Sequence, residues 1–157
     1  MVGIGYDMHR LEAGESLILG GVRFDTDYGT VAHSDGDILI HSVIDAILGA
    51  LGKGDIGDYF PDTDAKWKNV DSTVLLDEVI KMVENENCKI INIDFTIVTE
   101  KPKIGPHKSK LKSKMAELCK VDENQINVKA TTNEKRGFIG REEGIVVLSI
   151  CQLERKN

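Results

Sequence analysis

Along this chain, runs in which apolar and polar residues alternate are separated by runs in which apolar residues return every third or fourth position. The first pattern buries one face of a strand, the second one face of a helix. Val2 to Asp7 reads as a short strand, and Ser16 to Phe24 as a second strand region broken at Gly20-Gly21 by a bulge or tight turn. From Asp37 the period becomes helical, with Ile40, Ile44, Ile47 and Leu51 forming a buried stripe. Asp35 or Asp37 can cap this helix and Gly52 can end it, which sets His41 about one turn inside. Gly52 to Asp64 is a glycine- and aspartate-rich loop. Asp71 and Ser72 open a second helix, with Val74, Leu75, Val79 and Val83 inward. Ile90 to Val98 alternates as a strand with Ile91, Ile93, Phe95 and Ile97 on one face. Pro106 suits the first turn of a third helix, with Leu111, Met115 and Leu118 inward. Gln125 to Thr132 and Ile145 to Leu153 complete the strands. Helices interleaved with strands in this way predict an α+β sandwich, a mixed sheet covered on one face by helices.

Composition narrows this without redirecting it. A length of 157 residues predicts a single domain across 1–157, with 41% hydrophobic and 29% charged residues. A net charge of −6 argues against nucleic acid as a general partner, since no basic excess exists to neutralise a phosphate backbone. It leaves room for a small phosphorylated ligand held by local donors and a metal. No apolar run is long enough to span a bilayer, so a membrane is not an expected partner either. Cys88, Cys119 and Cys151 are far apart and odd in number, which suits a reducing compartment. Asp7 follows Met1 too closely for a secretory signal, so a cytoplasmic location is expected, or a plastid-type organelle if a transit segment has been removed.

The candidate chemistry begins with Asp7 and His9. Two residues apart on a strand, their side chains share a face, and an imidazole from His41 would complete a three-ligand site with a fourth position open to substrate. Taken singly, each has a plainer reading, a polar strand end or a half-buried helical histidine. Asp37 or Asp45, each four residues from His41, could fix its imidazole. The long loop from Asp55 to Asp64 carries carboxylates able to accept hydrogen bonds from a polyol. Lys129-Ala-Thr-Thr-Asn-Glu134 ends a strand with donors for phosphate oxygens, and Glu134 could hold a hard cation. Gly137-Phe-Ile-Gly-Arg141 adds a cation and an aromatic ring.

Read in order, Gly5-Tyr-Asp-Met-His9, Ala32-His-Ser-Asp-Gly-Asp37 with His41, Gly54-Asp-Ile-Gly57, Phe60-Pro-Asp-Thr-Asp64, Lys101-Pro-Lys103, Lys129-Ala-Thr-Thr132 with Glu134, and Gly140-Arg-Glu-Glu-Gly144 resemble the 2-C-methyl-D-erythritol 2,4-cyclodiphosphate synthase family. The resemblance spans nearly the whole chain. It implies a metal-dependent phosphorus–oxygen lyase of non-mevalonate isoprenoid biosynthesis, acting on 4-diphosphocytidyl-2-C-methyl-D-erythritol 2-phosphate with release of CMP. It implies a homotrimer with active sites between subunits, Zn²⁺ on Asp7, His9 and His41, and Mg²⁺ or Mn²⁺ on Glu134. His33 and Thr132 are then the catalytic residues, as transition-state stabilisers. Substrate contacts are implied at Asp7, Met8, His9, His33 and Ser34, and on the methylerythritol side at Asp55, Ile56, Gly57, Phe60, Pro61, Asp62, Thr63 and Asp64. The cytidine pocket, of the neighbouring subunit, is implied at Thr99, Glu100, Lys101, Pro102, Lys103, Ile104 and Gly105, with Ala130, Thr131 and Thr132, and further substrate contacts at Asn133, Glu134, Phe138 and Arg141. Arg141, Glu143 and Tyr6 resemble residues around a central cavity where an isoprenoid diphosphate can bind. A third threonine is common in the family where this chain has Asn133, and the family varies across Thr99 to Gly105. A cyclisation needs no activated serine or cysteine, because the nucleophile is a phosphate of the substrate itself. The competing expectations are a metal-dependent phosphodiesterase that uses water, giving linear products, and a non-enzymatic isoprenoid-diphosphate sensor.

Overall fold

The computed structural model describes residues 1–156 apart from His33, Asp62 and Lys68. Five strands form a mixed sheet in the order β4-β1-β7-β5-β6: β1 Val2–Ala13, β4 Tyr28–Thr30, β5 Cys88–Val98, β6 Ile126–Thr131 and β7 Gly144–Arg155. Only β5 and β6 run parallel; the chain crosses between them through a 3₁₀ turn at Gly105–His107 and the helix α4, Lys108–Cys119. Pro106 therefore sits in the turn that leads into the helix. The remaining strands, β2 Leu17–Leu19 and β3 Val22–Phe24, form a separate hairpin. Its turn is Gly20-Gly21, with φ of +58° and +72°, the left-handed pair that a two-residue hairpin demands.

Three helices cover one face of the large sheet: α1 Ile38–Leu51, α3 Ser72–Asn85 and α4. Two further elements are single turns, α2 Ile56–Tyr59 and α5 Gly137–Gly140. The helix expected from Asp37 is α1, capped by Asp37 rather than Asp35 and closed by Gly52 in the left-handed conformation. Leu75, Val79 and Val83 of α3 point inward as expected, but Val74 is exposed, and Leu76 and Ile80 take its place in the core. On β5, a register shift against β7 between Ile90 and Asn92 breaks the alternation. Ile90, Ile93, Phe95 and Ile97 are buried, and Ile91 is left half-covered.

β1 runs six residues beyond the expected strand. It pairs with β7 as far as Arg10↔Gly144, then with β4 from Leu11↔Thr30 to Ala13↔Tyr28. The polar residues beyond Tyr6 hid this continuation. Gly3 and Gly5 lie on its helix-facing side. A methyl group at Gly5 would fall 1.8 Å from the carbonyl oxygen of Ser42, and one at Gly3 would fall 2.1 Å from that of Ala46. The α1 backbone thus rests directly on β1. Beside this contact the hydroxyls of Ser42 and Ser149, both fully buried, hydrogen-bond to each other. The opposite face of the sheet carries, among the described residues, only the single turn α5, whose Ile139 and Phe138 pack on Val98 and Val146 at one end. There Val2, Ile4, Tyr6 and Met8 of β1 and Leu148 and Ile150 of β7 are exposed, with Ile4 opposite Ile150 and Tyr6 opposite Leu148. No helix among the described residues is long and apolar enough to cross a membrane.

Candidate active site

The close seat of α1 on β1 brings His41 down onto Asp7 and His9. All three offer a ligand atom within 4.8 Å of the others. Asp7 Oδ2 lies 3.0 Å from His9 Nε2 and 3.3 Å from His41 Nδ1. A tetrahedral zinc with bonds of ~2.0–2.1 Å has ligand-to-ligand edges of about 3.3–3.4 Å, and its common donors are imidazole nitrogen and carboxylate oxygen. The 3.3 Å separation matches such an edge, the 3.0 Å separation is somewhat shorter, and the donor set suits that ion. Burial would raise the Asp7 carboxyl, but hydrogen bonds and charge from His41 and His9 outweigh it and hold the group well below the usual carboxylate range. Burial would likewise lower the His41 imidazole, and Asp7 reverses the shift and raises it.

The neighbouring carboxylates do not act as expected from spacing. Asp37 is fully buried and accepts hydrogen bonds from the backbone N–H groups of Gly20 (2.8 Å), Gly21 (2.7 Å) and Ile40 (3.1 Å), so it ties the β2–β3 turn to the start of α1. Burial pushes its carboxyl up to about 6 in spite of those donors. Asp45 accepts from the N–H of Ile56 at 2.8 Å, and burial raises it. Neither carboxylate is a hydrogen-bond partner of the His41 ring. The second ring nitrogen, Nε2, lies instead 2.9 Å from Ser72 Oγ at the start of α3. No sequence interval pointed to Ser72, which is 31 residues from His41.

The cluster opens on a cavity of about 390 Å³ lined also by Ser34, Ile56, Gly57 and Phe60. That is the size range of small-molecule sites. Val31, Ala32, Asp45, Trp67 and Leu75 complete its walls, and Trp67 meets Phe60 edge-on at 4.9 Å. Spacing alone did not single out these five as wall residues. Asp55 caps α2, accepting from Gly57 N at 2.9 Å. Pro61, Thr63 and Asp64 follow beyond Phe60, with Asp64 accepting from Lys66 N at 2.9 Å. Met8 points to the outer face of β1, away from the cavity. His33 and Asp62 lie outside the described residues.

A second cluster forms at the ends of β5 and β6. Thr99 N donates to Thr131 O at 3.1 Å, and Glu100 Oε1 accepts from the N–H groups of Asn133 (2.9 Å) and Lys135 (3.2 Å). Lys101 pairs with Glu142 at 3.1 Å and is followed by Pro102 and Lys103; Ile104 is buried ahead of Gly105. On β6, Ala130 is half-buried. Thr132 Oγ1 accepts from Glu134 N at 3.3 Å and stands 3.4 Å from Glu134 Oε1. Glu134 itself is exposed. Phe138 packs on Val98, Ile139 and Val146, and Arg141 grips Glu143 through two bonds of 2.8 and 3.1 Å. None of these residues is among those lining the cavity beside Asp7, His9 and His41. Within one chain, the expected site residues divide between two places.

Comparison with known proteins bears on both. The YgbB family model matches residues 1–154. A 2-C-methyl-D-erythritol 2,4-cyclodiphosphate synthase from Caldicellulosiruptor bescii is 50% identical over 154 residues, 96% of this chain and 98% of that protein. The bifunctional enzyme IspD/IspF of Aliarcobacter butzleri is 52% identical over 155 residues, 99% of this chain, which spans only 41% of that longer relative. Among solved structures, the IspF CDP complex from Plasmodium falciparum superposes with a TM-score of 0.88 at 34% identity, covering 99% of this chain and 96% of that one. The family match takes in both residue clusters, and half of all positions are shared with a relative of the same extent. On that ground the chain belongs to the YgbB family, the family of the 2-C-methyl-D-erythritol 2,4-cyclodiphosphate synthases.

Proposed function

We infer that this chain converts 4-diphosphocytidyl-2-C-methyl-D-erythritol 2-phosphate into 2-C-methyl-D-erythritol 2,4-cyclodiphosphate and CMP, a step of non-mevalonate isoprenoid precursor biosynthesis. The observation that carries the reading is the Asp7–His9–His41 cluster opening on a cavity, in a chain that matches a synthase along nearly its whole length. In the reaction an oxygen of the 2-phosphate attacks the β-phosphorus. The bond from that phosphorus to the bridging oxygen breaks, and CMP leaves with the oxygen. The protein supplies no nucleophile; its task is positioning and charge stabilisation.

On this reading Asp7, His9 and His41 hold Zn²⁺, and Glu134 holds Mg²⁺ or Mn²⁺. Bound there, the two cations would draw charge from the phosphoryl oxygens in the transition state. Ser34 donates to a phosphate oxygen at the cavity wall, and Ile56, Gly57 and Phe60 enclose the methylerythritol. Thr131, Thr132 and Asn133 donate to the diphosphate, with Thr132 and His33 stabilising the transition state. The Thr99–Gly105 segment takes the cytidine; a related structure being a CDP complex supports a cytidine-diphosphate-linked substrate.

The full site, on this reading, is assembled in a homotrimer, with the metal cluster of one subunit facing the Thr99–Gly105 cluster of the next. Two features support this: the clusters are separate within one chain, and the outer sheet face is apolar and exposed. Tyr6, Arg141 and Glu143 then border a central cavity able to take an isoprenoid diphosphate. A cytoplasmic setting accords with the bacterial relatives. The deciding experiment incubates the protein with the cytidyl substrate and Mg²⁺ and follows CMP release together with phosphorus NMR of the product. Stoichiometric cyclic diphosphate is expected. CMP released with linear phosphates would overturn the reading in favour of a water-using phosphodiesterase.

A further inference from the structure

We propose that Ser72 and Asp35 are positioning residues for the metal centre, a hydroxyl–carboxylate relay that fixes which nitrogen of His41 faces the metal. The proposal rests on the reading of Asp7, His9 and His41 as zinc ligands.

The directions of the hydrogen bonds follow from donor inventories. His41 turns Nδ1 to Asp7 at 3.3 Å and Nε2 to Ser72 Oγ at 2.9 Å. A neutral imidazole has one acceptor nitrogen and one N–H. If Nδ1 gives its lone pair to a metal, Nε2 must carry the proton and donate it to Ser72 Oγ. Ser72 can accept that bond because its own proton is committed elsewhere: its hydroxyl hydrogen-bonds Asp35 Oδ1, and a carboxylate can only accept. Asp35 is held in turn, Oδ2 accepting from Ser72 N at 2.8 Å and Oδ1 from Asp37 N at 3.1 Å. Every proton in the chain His41–Ser72–Asp35 therefore has one consistent place. Partners of this kind on a ligating histidine raise its basicity and fix its ring.

Two further observations separate this role from ordinary helix capping. The cap of α3 is Asp71, which accepts from Thr73 N at 2.8 Å, so the Ser72 side chain is not needed to start the helix. Yet Ser72 is fully buried, and its hydroxyl is spent on groups from outside its own helix. The other imidazole contrasts with it: His9 Nδ1 is buried and, among the described residues, has no hydrogen-bond partner. The relay acts on one of the two histidines.

The test measures zinc affinity on stripped protein reloaded with Zn²⁺ alone, in competition with a chromogenic chelator. Ser72→Ala and Asp35→Asn are each expected to weaken zinc by about 10- to 100-fold, the usual cost of removing such a partner, with Ser72→Thr recovering most of the loss because it keeps the hydroxyl. Metal-free melting temperatures run alongside to separate a loss of folding from a loss of zinc; Asp71 still caps the helix in Ser72→Ala, so the variant should fold, melting below the wild type because a buried group is left unpaired. His41→Ala is the reference for the ligand assignment. If it binds zinc like the wild type, the ligand reading fails. If it loses zinc while Ser72→Ala binds within twofold of the wild type, the relay alone is wrong. A second measurement needs no variant. Long-range proton–nitrogen spectra of the zinc-loaded wild type should show His41 bound through Nδ1 with a slowly exchanging Nε2–H. Metal on Nε2 would overturn the proposal outright.

Discussion

Asp37 is the residue on which most local structure converges. It is a buried carboxylate with three backbone donors, two from the Gly20-Gly21 turn and one from α1. Asp37→Ala leaves those N–H groups without a partner, and at roughly 1–3 kcal/mol for a buried unsatisfied donor a loss of about 2–4 kcal/mol in urea unfolding is expected. Its ionisation has a definite sign as well. The folded carboxyl titrates near about 6 against an ordinary value of 3.8. The protonated form is thus favoured by folding, and the stability it contributes is fully present below about pH 3.8 and lost as pH rises past about 6. Asp37→Asn should flatten that part of the stability–pH curve; an unchanged slope would count against the shift. For Thr132, read as acting on the transition state, Thr132→Ala is expected to lower kcat by about 10²-fold with little change in KM, and a raised KM at unchanged kcat would contradict it. Residues like Asp7, His9 and His41 were legible because strand and helix periods place side chains over short distances. Ser72 and Trp67 were not, because Ser72 meets His41 only when α1 packs against the start of α3, and Trp67 meets Phe60 only through the fold of the loop between α1 and α3.

Among the elements, β1 and α1 decide whether the site exists. Gly5 lets the backbone of Ser42, next to His41, lie against the strand. Gly5→Ala must push α1 away at that point, so a stability loss at or above the ~1–3 kcal/mol typical of overpacking is expected, together with loss of zinc if Asp7, His9 and His41 hold it as proposed. Gly3→Ala meets α1 a full turn further on, at Ala46. It should cost similar stability and spare more of the zinc, and metal analysis of the two variants separates these effects. The long helices and most of β5, β6 and β7 were readable from period alone, since burial on one face writes itself into the pattern, but the second half of β1 was not. Three-residue β4 was not, because its place is set by the tail of β1 that it pairs with. The break of alternation at Ile91 was hidden for a related reason: a bulge is a property of two strands together.

For the whole molecule the expectation concerns two half-sites that one chain keeps apart. If the trimer joins them, His41→Ala and Lys103→Ala, each nearly inactive alone, should complement when their subunits are mixed by mild unfolding or co-expression. In equal random mixing each site draws its two halves independently, so about a quarter of the sites regain both. Verified mixed trimers no more active than the sum of the parents would show that the halves do not meet. Periodicity and spacing could not reveal the division, because the sequence lists both halves without saying which copy of the chain supplies them; only the family resemblance of the ordered motifs implied it.

β1 also carries a liability in its spacing. Its odd-numbered residues, Gly3, Gly5, Asp7 and His9, face α1, while Val2, Ile4, Tyr6 and Met8 face outward. The strand therefore carries two messages interleaved letter by letter. A point change edits one and leaves the other readable. Insertion or deletion of one residue just before Asp7 puts its two sides out of frame, so that either carboxylate and imidazole turn outward or isoleucine and tyrosine turn toward the backbone of α1. Among functional descendants of this chain, this stretch should vary by substitution and never in length.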